Sequence, residues 1–295
     1  MQREPTPAQT NGISPRVLML ASTAMVCFAA NSLLCRLALG PGLADAATFT
    51  TLRVLSAAIV LCLLVWLQRR RFPRLDRANP LSVVSLFAYF IFFSFAYLRL
   101  DAGSGALILI GAVQLTMFCV AFWEGERFSA SQWAGLATAI LGFIYLVLPG
   151  ISAPDPLGAM LMAISGIAWG CFSLLARGAS DPIETDASNF VGCLLPATVV
   201  SLLAANHFEA TATGVLAAIA SGSIATGLGY IVWYLALRGL PATLAATVQL
   251  SMPALVALGG VTLLSEPLTM RVLAASAMML GGIGLVVQRV QGSSQ

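Results

Sequence analysis

The chain has 295 residues, of which 59% are hydrophobic and only 9% are charged. Globular proteins carry about 25% charged residues, so the composition excludes a protein whose surface faces water throughout, and lipid is the expected solvent. Fifteen cationic and twelve acidic residues give a net charge of +3, which is too small and too dispersed for a nucleic-acid-binding surface.

The chain begins with a polar segment, residues 1–15, which we predict to be a disordered cytoplasmic tail. Beyond it lie apolar runs long enough to cross about 30 Å of hydrocarbon, which takes about 20 helical residues each. Ten such runs are found near 17–38, 46–67, 80–98, 102–123, 130–149, 156–177, 187–205, 212–236, 241–264 and 269–288. The sequence therefore predicts an all-α polytopic membrane protein with ten transmembrane helices joined by short linkers.

The arginines predict the orientation of these spans, because cytoplasmic loops are enriched in basic residues. With the N-terminus inside, eleven arginines are cytoplasmic, three are outside and Arg53 lies within the second span. The outside three are Arg36, Arg99 and Arg271. We therefore expect a multi-pass bacterial inner-membrane protein with both termini in the cytoplasm.

The two halves of the sequence resemble each other. The segment 32–36, SLLCR, matches 173–177, SLLAR, and the segment 113–117, VQLTM, matches 248–252, VQLSM. Loops that carry Glu126 and Glu266 precede the fifth and tenth spans. Because five spans are an odd number, the second repeat must be inverted relative to the first, as in many secondary transporters. We predict repeats at 16–150 and 155–290, arranged as two inverted five-helix units around a central cavity.

Three segments of the second half carry a resemblance to a known family. They are residues 241–253, PATLAATVQLSMP, residues 264–269, LSEPLT, and residues 281–284, GGIG. The chain resembles EamA-type transporters of the drug/metabolite transporter superfamily, and the nearest subgroup is the bacterial aromatic amino-acid exporters, which are also associated with methyl viologen efflux. The resemblance implies a small-molecule carrier in a lipid bilayer whose spans one, three, four, six, eight and nine line the cavity, and it implies no cofactor.

Polar and aromatic side chains within spans are the candidates for substrate binding, because such groups are costly in a membrane. The candidates are Asn31, Ser32, Gln114, Trp169, Ser173, Tyr230, Trp233 and Gln249. Amides and hydroxyls offer hydrogen bonds to a carboxylate and an ammonium, and aromatic rings offer a wall to an apolar side chain or a face to a cation.

Structural roles are open for the same residues. Aromatic side chains near span ends, such as Tyr234, can be interfacial anchors, amides can join helices, and Ser32 and Ser173 can bond their own helix backbone. The position of Arg53 in span two favours a structural or headgroup role over contact with a substrate carboxylate. The positions of Glu126 and Glu266 in loops before helices favour a helix-start role, because carboxylates are stabilised at helix N-termini.

Other mechanisms and functions have less support. No Asp or Glu lies near the centre of any span, so we expect facilitated diffusion or exchange rather than coupling to protons or sodium. The six cysteines lie in apolar runs without a C-x-x-C pair, which predicts neither disulfides nor a metal site. His207 is the single histidine and lies in a loop, so an intramembrane enzyme is disfavoured, as is a channel.

Export of aromatic or other hydrophobic amino acids is the leading prediction, with efflux of lipophilic cations or other metabolites as the alternative.

Overall fold

A computed structural model describes residues 14–125, 127–150, 153–177, 179, 181–240 and 242–288. Within these residues the fold is all-helical apart from an isolated bridge between Ala44 and Ala210. The ten principal helices are α1 (Pro15–Leu39), α2 (Ala46–Arg69), α3 (Pro80–Tyr97), α4 (Ala102–Trp123), α5 (Ala130–Val147), α6 (Pro156–Leu175), α7 (Pro182–Leu203), α8 (Ala212–Leu237), α9 (Ala242–Gln249 and Ser251–Leu264) and α10 (Met270–Gln288). Residues 1–13 of the predicted polar tail lie outside the described residues, and so does Glu126.

The helices have the length and composition of membrane spans. Of the described helices, nine are long and apolar enough to cross a bilayer, and α10 is a shorter apolar helix over Met270–Val286. The all-helical, polytopic fold predicted from the sequence is therefore confirmed.

Helix ends follow ordinary capping chemistry. Asp45, Asp155, Asp181 and Thr211 each accept a hydrogen bond from a backbone N–H in the first turn of the helix that follows, which satisfies donors that have no partner within the helix. Because α7 begins at Pro182 rather than near residue 187, Glu184 and Asp186 belong to this helix and not to the preceding loop.

The packing of the helices repeats between the two halves. Helix α1 packs against α8 and α9, and α6 packs correspondingly against α3 and α4. Helix α2 packs against α7, α4 against α9, and α5 against α10. The first helix of each half is thus inserted among the third and fourth helices of the other half, and this exchange forms the walls of one central space.

Two helices on that space depart from regular α geometry. Helix α8 widens into a π-helical segment at Ser221–Leu228, a feature frequent at functional sites. Helix α9 is interrupted at Leu250, three residues before Pro253. Proline has no N–H to donate to the carbonyl of residue 249, which explains why the helix is not continuous there.

Candidate functional site

A central cavity of about 310 Å³ lies between the two halves. Most of its wall comes from α1, α3, α4, α6, α8 and α9, the six helices that the family resemblance implies, and the first residue of α7, Pro182, adds to it. The lining residues on these helices are Met25, Phe28, Asn31, Tyr89, Leu109, Ile110, Met117, Trp169, Phe172, Ser173, Ala225, Thr226, Tyr230, Trp233, Tyr234, Leu237, Gln249 and Met252, and Ala176, Arg177 and Pro182 complete the wall between α6 and α7.

Most of the predicted site residues come together in this cavity. Asn31, Trp169, Ser173, Tyr230, Trp233 and Gln249 all line it. Two others do not. Ser32 is fully buried beside the lining residue Asn31, and Gln114 is half-buried on α4 between the lining positions 110 and 117.

Seven aromatic side chains, from α1, α3, α6 and α8, line the cavity. The ring of Trp169 lies 4.8 Å from that of Tyr89 and 5.6 Å from that of Tyr230, centroid to centroid. Phe28 meets Tyr230 edge to face at 5.8 Å and Trp233 at 6.2 Å. These rings provide a continuous apolar surface against which a planar or hydrophobic group can pack.

A hydrogen-bond network crosses the cavity wall from the first half to the second. The Asn31 amide nitrogen donates to the Tyr89 hydroxyl at 3.4 Å, and the Asn31 amide oxygen accepts from the Ser221 hydroxyl at 2.7 Å. Ser221 begins the widened segment of α8. Ser173 donates to the carbonyl of Trp169 at 2.8 Å, so it both bonds its own helix and lines the cavity.

The sequence did not predict the positions of two residues that line the cavity, Tyr89 and Tyr234, or of Asp186 beside them. Tyr89 was not among the candidates, although it is the residue of α3 that lines the cavity. Tyr234 is no interfacial anchor, because it lines the cavity and its hydroxyl donates to Asp186 at 2.6 Å. Asp186 is 1% exposed. The sequence does carry a signal that α7 contains Asp186. A capping residue, Asp181, is followed by a helix-starting proline, Pro182.

Of the two roles that the sequence leaves open for Arg53, structural or headgroup, its contacts fit the structural one. Its side chain is fully buried, so it reaches neither headgroups nor water. It lies against the rings of Tyr89, Phe90 and Phe93 and donates to the Tyr89 hydroxyl at 3.1 Å. A headgroup role is therefore excluded, because the side chain is fully buried and contacts the rings of α3 and, through Nη1 at 3.6 Å, the Cys35 sulfur of α1.

The two ends of the bundle carry different ion pairs. At the Arg-rich end, predicted to be cytoplasmic, Arg69 and Arg71 pair with Glu184, and Arg69 also pairs with Asp181. At the opposite end the Arg36 cluster, which consists of Arg36, Asp101 and Glu266, joins α1 to the start of α4 and the end of α9. Glu266 also accepts from the backbone N–H of Ala102 at 2.8 Å. It therefore caps the start of α4 rather than the start of the helix that follows it in the chain. The cavity wall extends to Arg177 and Pro182, near the Arg-rich end.

The fold and the cavity define a polytopic membrane protein with a solute-sized pocket between two similarly packed halves, which is the architecture of a secondary carrier. Residues 15–148 and 156–288 each match the EamA-like transporter family. The chain belongs to this family, and it is therefore a transporter of the drug/metabolite transporter superfamily.

The chain is also similar to several proteins and to a solved structure over most of its length. The chain is 45% identical over 272 residues to an uncharacterized protein of Pseudomonas aeruginosa, covering 92% of this chain and 94% of that protein. It is 23% identical to an "Uncharacterized transporter" of Archaeoglobus fulgidus, covering 75% and 81%. It is 27% identical to a "Probable amino-acid metabolite efflux pump" of Salmonella typhimurium, covering 62% and 67%. A crystal structure with 19% identity superposes with a TM-score of 0.67 over 96% of this chain and 100% of the other, which supports the fold alone.

Proposed function

We propose that the chain is an inner-membrane secondary carrier that exports amino acids with aromatic or other hydrophobic side chains. The observation that carries the proposal is the cavity itself, which combines a wall of aromatic rings with the Asn31 amide, the Gln249 amide and tyrosine hydroxyls. Such a wall accepts an apolar side chain at one part and hydrogen-bonds polar backbone groups at another. The name of the Salmonella relative points to the same class of substrate.

Alternating access follows from the way the halves pack. The repeats at 16–150 and 155–290 are the units that we propose to rock against each other around the cavity. In this structure the Arg36 cluster holds α1, α4 and α9 together at one end, while the lining extends toward the other end. If both termini lie in the cytoplasm, as the arginine distribution predicts, this arrangement supports a state that receives solute from the cytoplasm.

Efflux of lipophilic cations is the second candidate, since aromatic faces also attract cations. Both functions are tested by uptake of radiolabelled solutes into proteoliposomes. Phenylalanine, tryptophan, threonine, methionine and methyl viologen form the panel, and empty liposomes are the control. We expect saturable phenylalanine flux that tryptophan inhibits and methyl viologen does not. Saturable methyl viologen flux without amino-acid flux would establish the second candidate instead.

A further inference from the structure

An arginine and an aspartate, Arg53 and Asp186, are buried beside the cavity without an ion-pair partner among the described residues. Arg53 is 0% exposed, its Cζ lies 4.5 Å from the ring centroid of Phe90 and 4.8 Å from that of Phe93, and its Nε has no hydrogen-bond partner. A buried charge is costly unless it is paired. Aromatic faces offset only part of that cost.

The Tyr89 hydroxyl joins Arg53 to Asn31, which lines the cavity. Its oxygen accepts from Arg53 Nη2 at 3.1 Å and from Asn31 Nδ2 at 3.4 Å. These two contacts occupy the phenolic oxygen as an acceptor, so the hydroxyl proton is the group left to donate. Because Tyr89 lines the cavity, it offers the solute a hydrogen-bond donor that a neighbouring cation polarises. An anionic acceptor is the group that such a donor binds best.

Asp186 and Tyr234 form the converse arrangement. Asp186 is 1% exposed and accepts from the Tyr234 hydroxyl at 2.6 Å. The hydroxyl proton is thereby committed to the carboxylate, and the phenolic oxygen remains available as an acceptor. Tyr234 also lines the cavity, so it offers the solute an acceptor backed by an acidic group. A cationic donor such as an ammonium is the matching ligand.

We propose that these two tyrosines make the cavity selective for zwitterions. The solute carboxylate binds the Tyr89 hydroxyl, the solute ammonium binds the Tyr234 hydroxyl, and the Trp169–Tyr230 rings receive the side chain. Arg53 and Asp186 are positioning residues that act through the tyrosines. The proposal rests on the proposed function and deepens it, because it ties amino-acid selectivity to two particular hydroxyl groups.

Three solutes of nearly equal size test the proposal. Phenylalanine is zwitterionic, phenylalaninamide carries only the ammonium, and 3-phenylpropanoate carries only the carboxylate. Flux of each into proteoliposomes is measured for the wild type, Tyr89→Phe and Tyr234→Phe, with Tyr145→Phe as control because Tyr145 is 43% exposed on α5. Both cavity variants keep the ring and remove one hydroxyl.

In the wild type we expect phenylalanine flux to exceed that of either analogue roughly tenfold or more, since a hydrogen bond to a charged group carries at least that factor. Tyr89→Phe should remove the preference for phenylalanine over the amide and leave the preference over 3-phenylpropanoate. Tyr234→Phe should do the reverse. Arg53→Lys should retain preference over the amide that Arg53→Gln loses, a difference that a merely structural role would not produce.

The outcomes separate the two proposals. If the wild type carries phenylalanine but each variant loses flux of all three solutes in equal proportion, the zwitterion proposal is wrong and amino-acid export stands. The same conclusion follows if an imposed proton gradient drives flux in the wild type but not in Asp186→Asn, because Asp186 would then carry protons. If the wild type carries no phenylalanine, the proposed function itself is wrong and the zwitterion proposal falls with it.

Discussion

The Arg36 guanidinium donates through Nε to the Glu266 carboxylate at 2.8 Å and thereby joins the first half of the chain to the second. The same guanidinium donates to Asp101 at 3.2 Å and to the carbonyl of Tyr97 at 3.2 Å. Glu266 in turn accepts from the N–H of Ala102, the first residue of α4. One arginine therefore ties the end of α1 to α3, α4 and the residues after α9.

Breaking this cluster should open the cavity toward the end opposite the Arg-rich end. Glu266→Gln removes the charge that holds Arg36, and we expect the outward-open population to rise about 5- to 150-fold, the range of ordinary conformational coupling energies. The measurement is labelling of Leu109→Cys, a lining position, by a membrane-impermeant maleimide added at that end, in a background without the native cysteines. The control is Arg74→Ala, which removes the exposed pair with Asp76. Equal labelling rates in Glu266→Gln and the control would contradict the gating role.

Truncation of the cavity wall should reduce flux without loss of folded protein. Trp169→Ala removes the ring that contacts both Tyr89 and Tyr230, and Gln249→Ala removes a half-buried amide. We expect each to lower phenylalanine flux at least tenfold in proteoliposomes.

Matched controls exist for both of these variants. Trp123 is 83% exposed at the end of α4, and Gln68 is exposed near the end of α2, so alanine at either position should leave flux within about twofold of the wild type. Unchanged flux in both Trp169→Ala and Gln249→Ala, at normal protein yield, would count against the cavity as the substrate site.

Gly222 marks the closest approach of α8 to α2. A Cβ atom at this position would overlap the backbone oxygen of Arg53 and the hydroxyl of Ser56, so even alanine would force the helices apart. Overpacking of this kind costs about 1–3 kcal/mol. We expect Gly222→Ala to lower the melting temperature in detergent, and Gly281→Ala, which meets no atom within 4 Å, to leave it unchanged. Equal melting temperatures would show that the contact relaxes at no cost.

Flux should follow the solute gradient without a proton requirement. Within the described residues, Asp186 is the carboxylate that borders the cavity lining, and it lies in the second turn of α7 rather than at mid-span. We therefore predict that the solute gradient alone drives flux. An imposed proton gradient should change phenylalanine flux less than twofold in proteoliposomes. Several-fold stimulation that a protonophore abolishes would contradict this prediction.

The sequence predicted the spans well because the signal is strong and local. An apolar run of about 20 residues is long enough to span a bilayer, and as a helix it satisfies its own backbone hydrogen bonds there. Short linkers then force neighbouring spans to run antiparallel. The site was less predictable, since the sequence shows that a residue is polar and within a span but not which way it faces. Gln114 and Gln249 have matching sequence contexts, yet only Gln249 lines the cavity.

The surroundings of the buried charges were hard to predict for a related reason. Arg53 lies eight residues into α2, and the sequence leaves both a structural and a headgroup role open for it. The aromatic rings that cover it come from α3, a contact between spans that no local pattern reports. The apolar run predicted for α7 begins at residue 187 and leaves Asp186 outside it, whereas the helix begins at Pro182, after the capping residue Asp181.

The central claim is that solute crosses the membrane through the cavity between the two halves. Its most direct test is substrate protection of Ser173→Cys, a conservative change at a half-buried lining position, against a thiol reagent, with flux measured on the same proteoliposomes. The account predicts that the phenylalanine concentration giving half-protection equals the concentration giving half-maximal flux. Saturable flux with no protection at any concentration would contradict it.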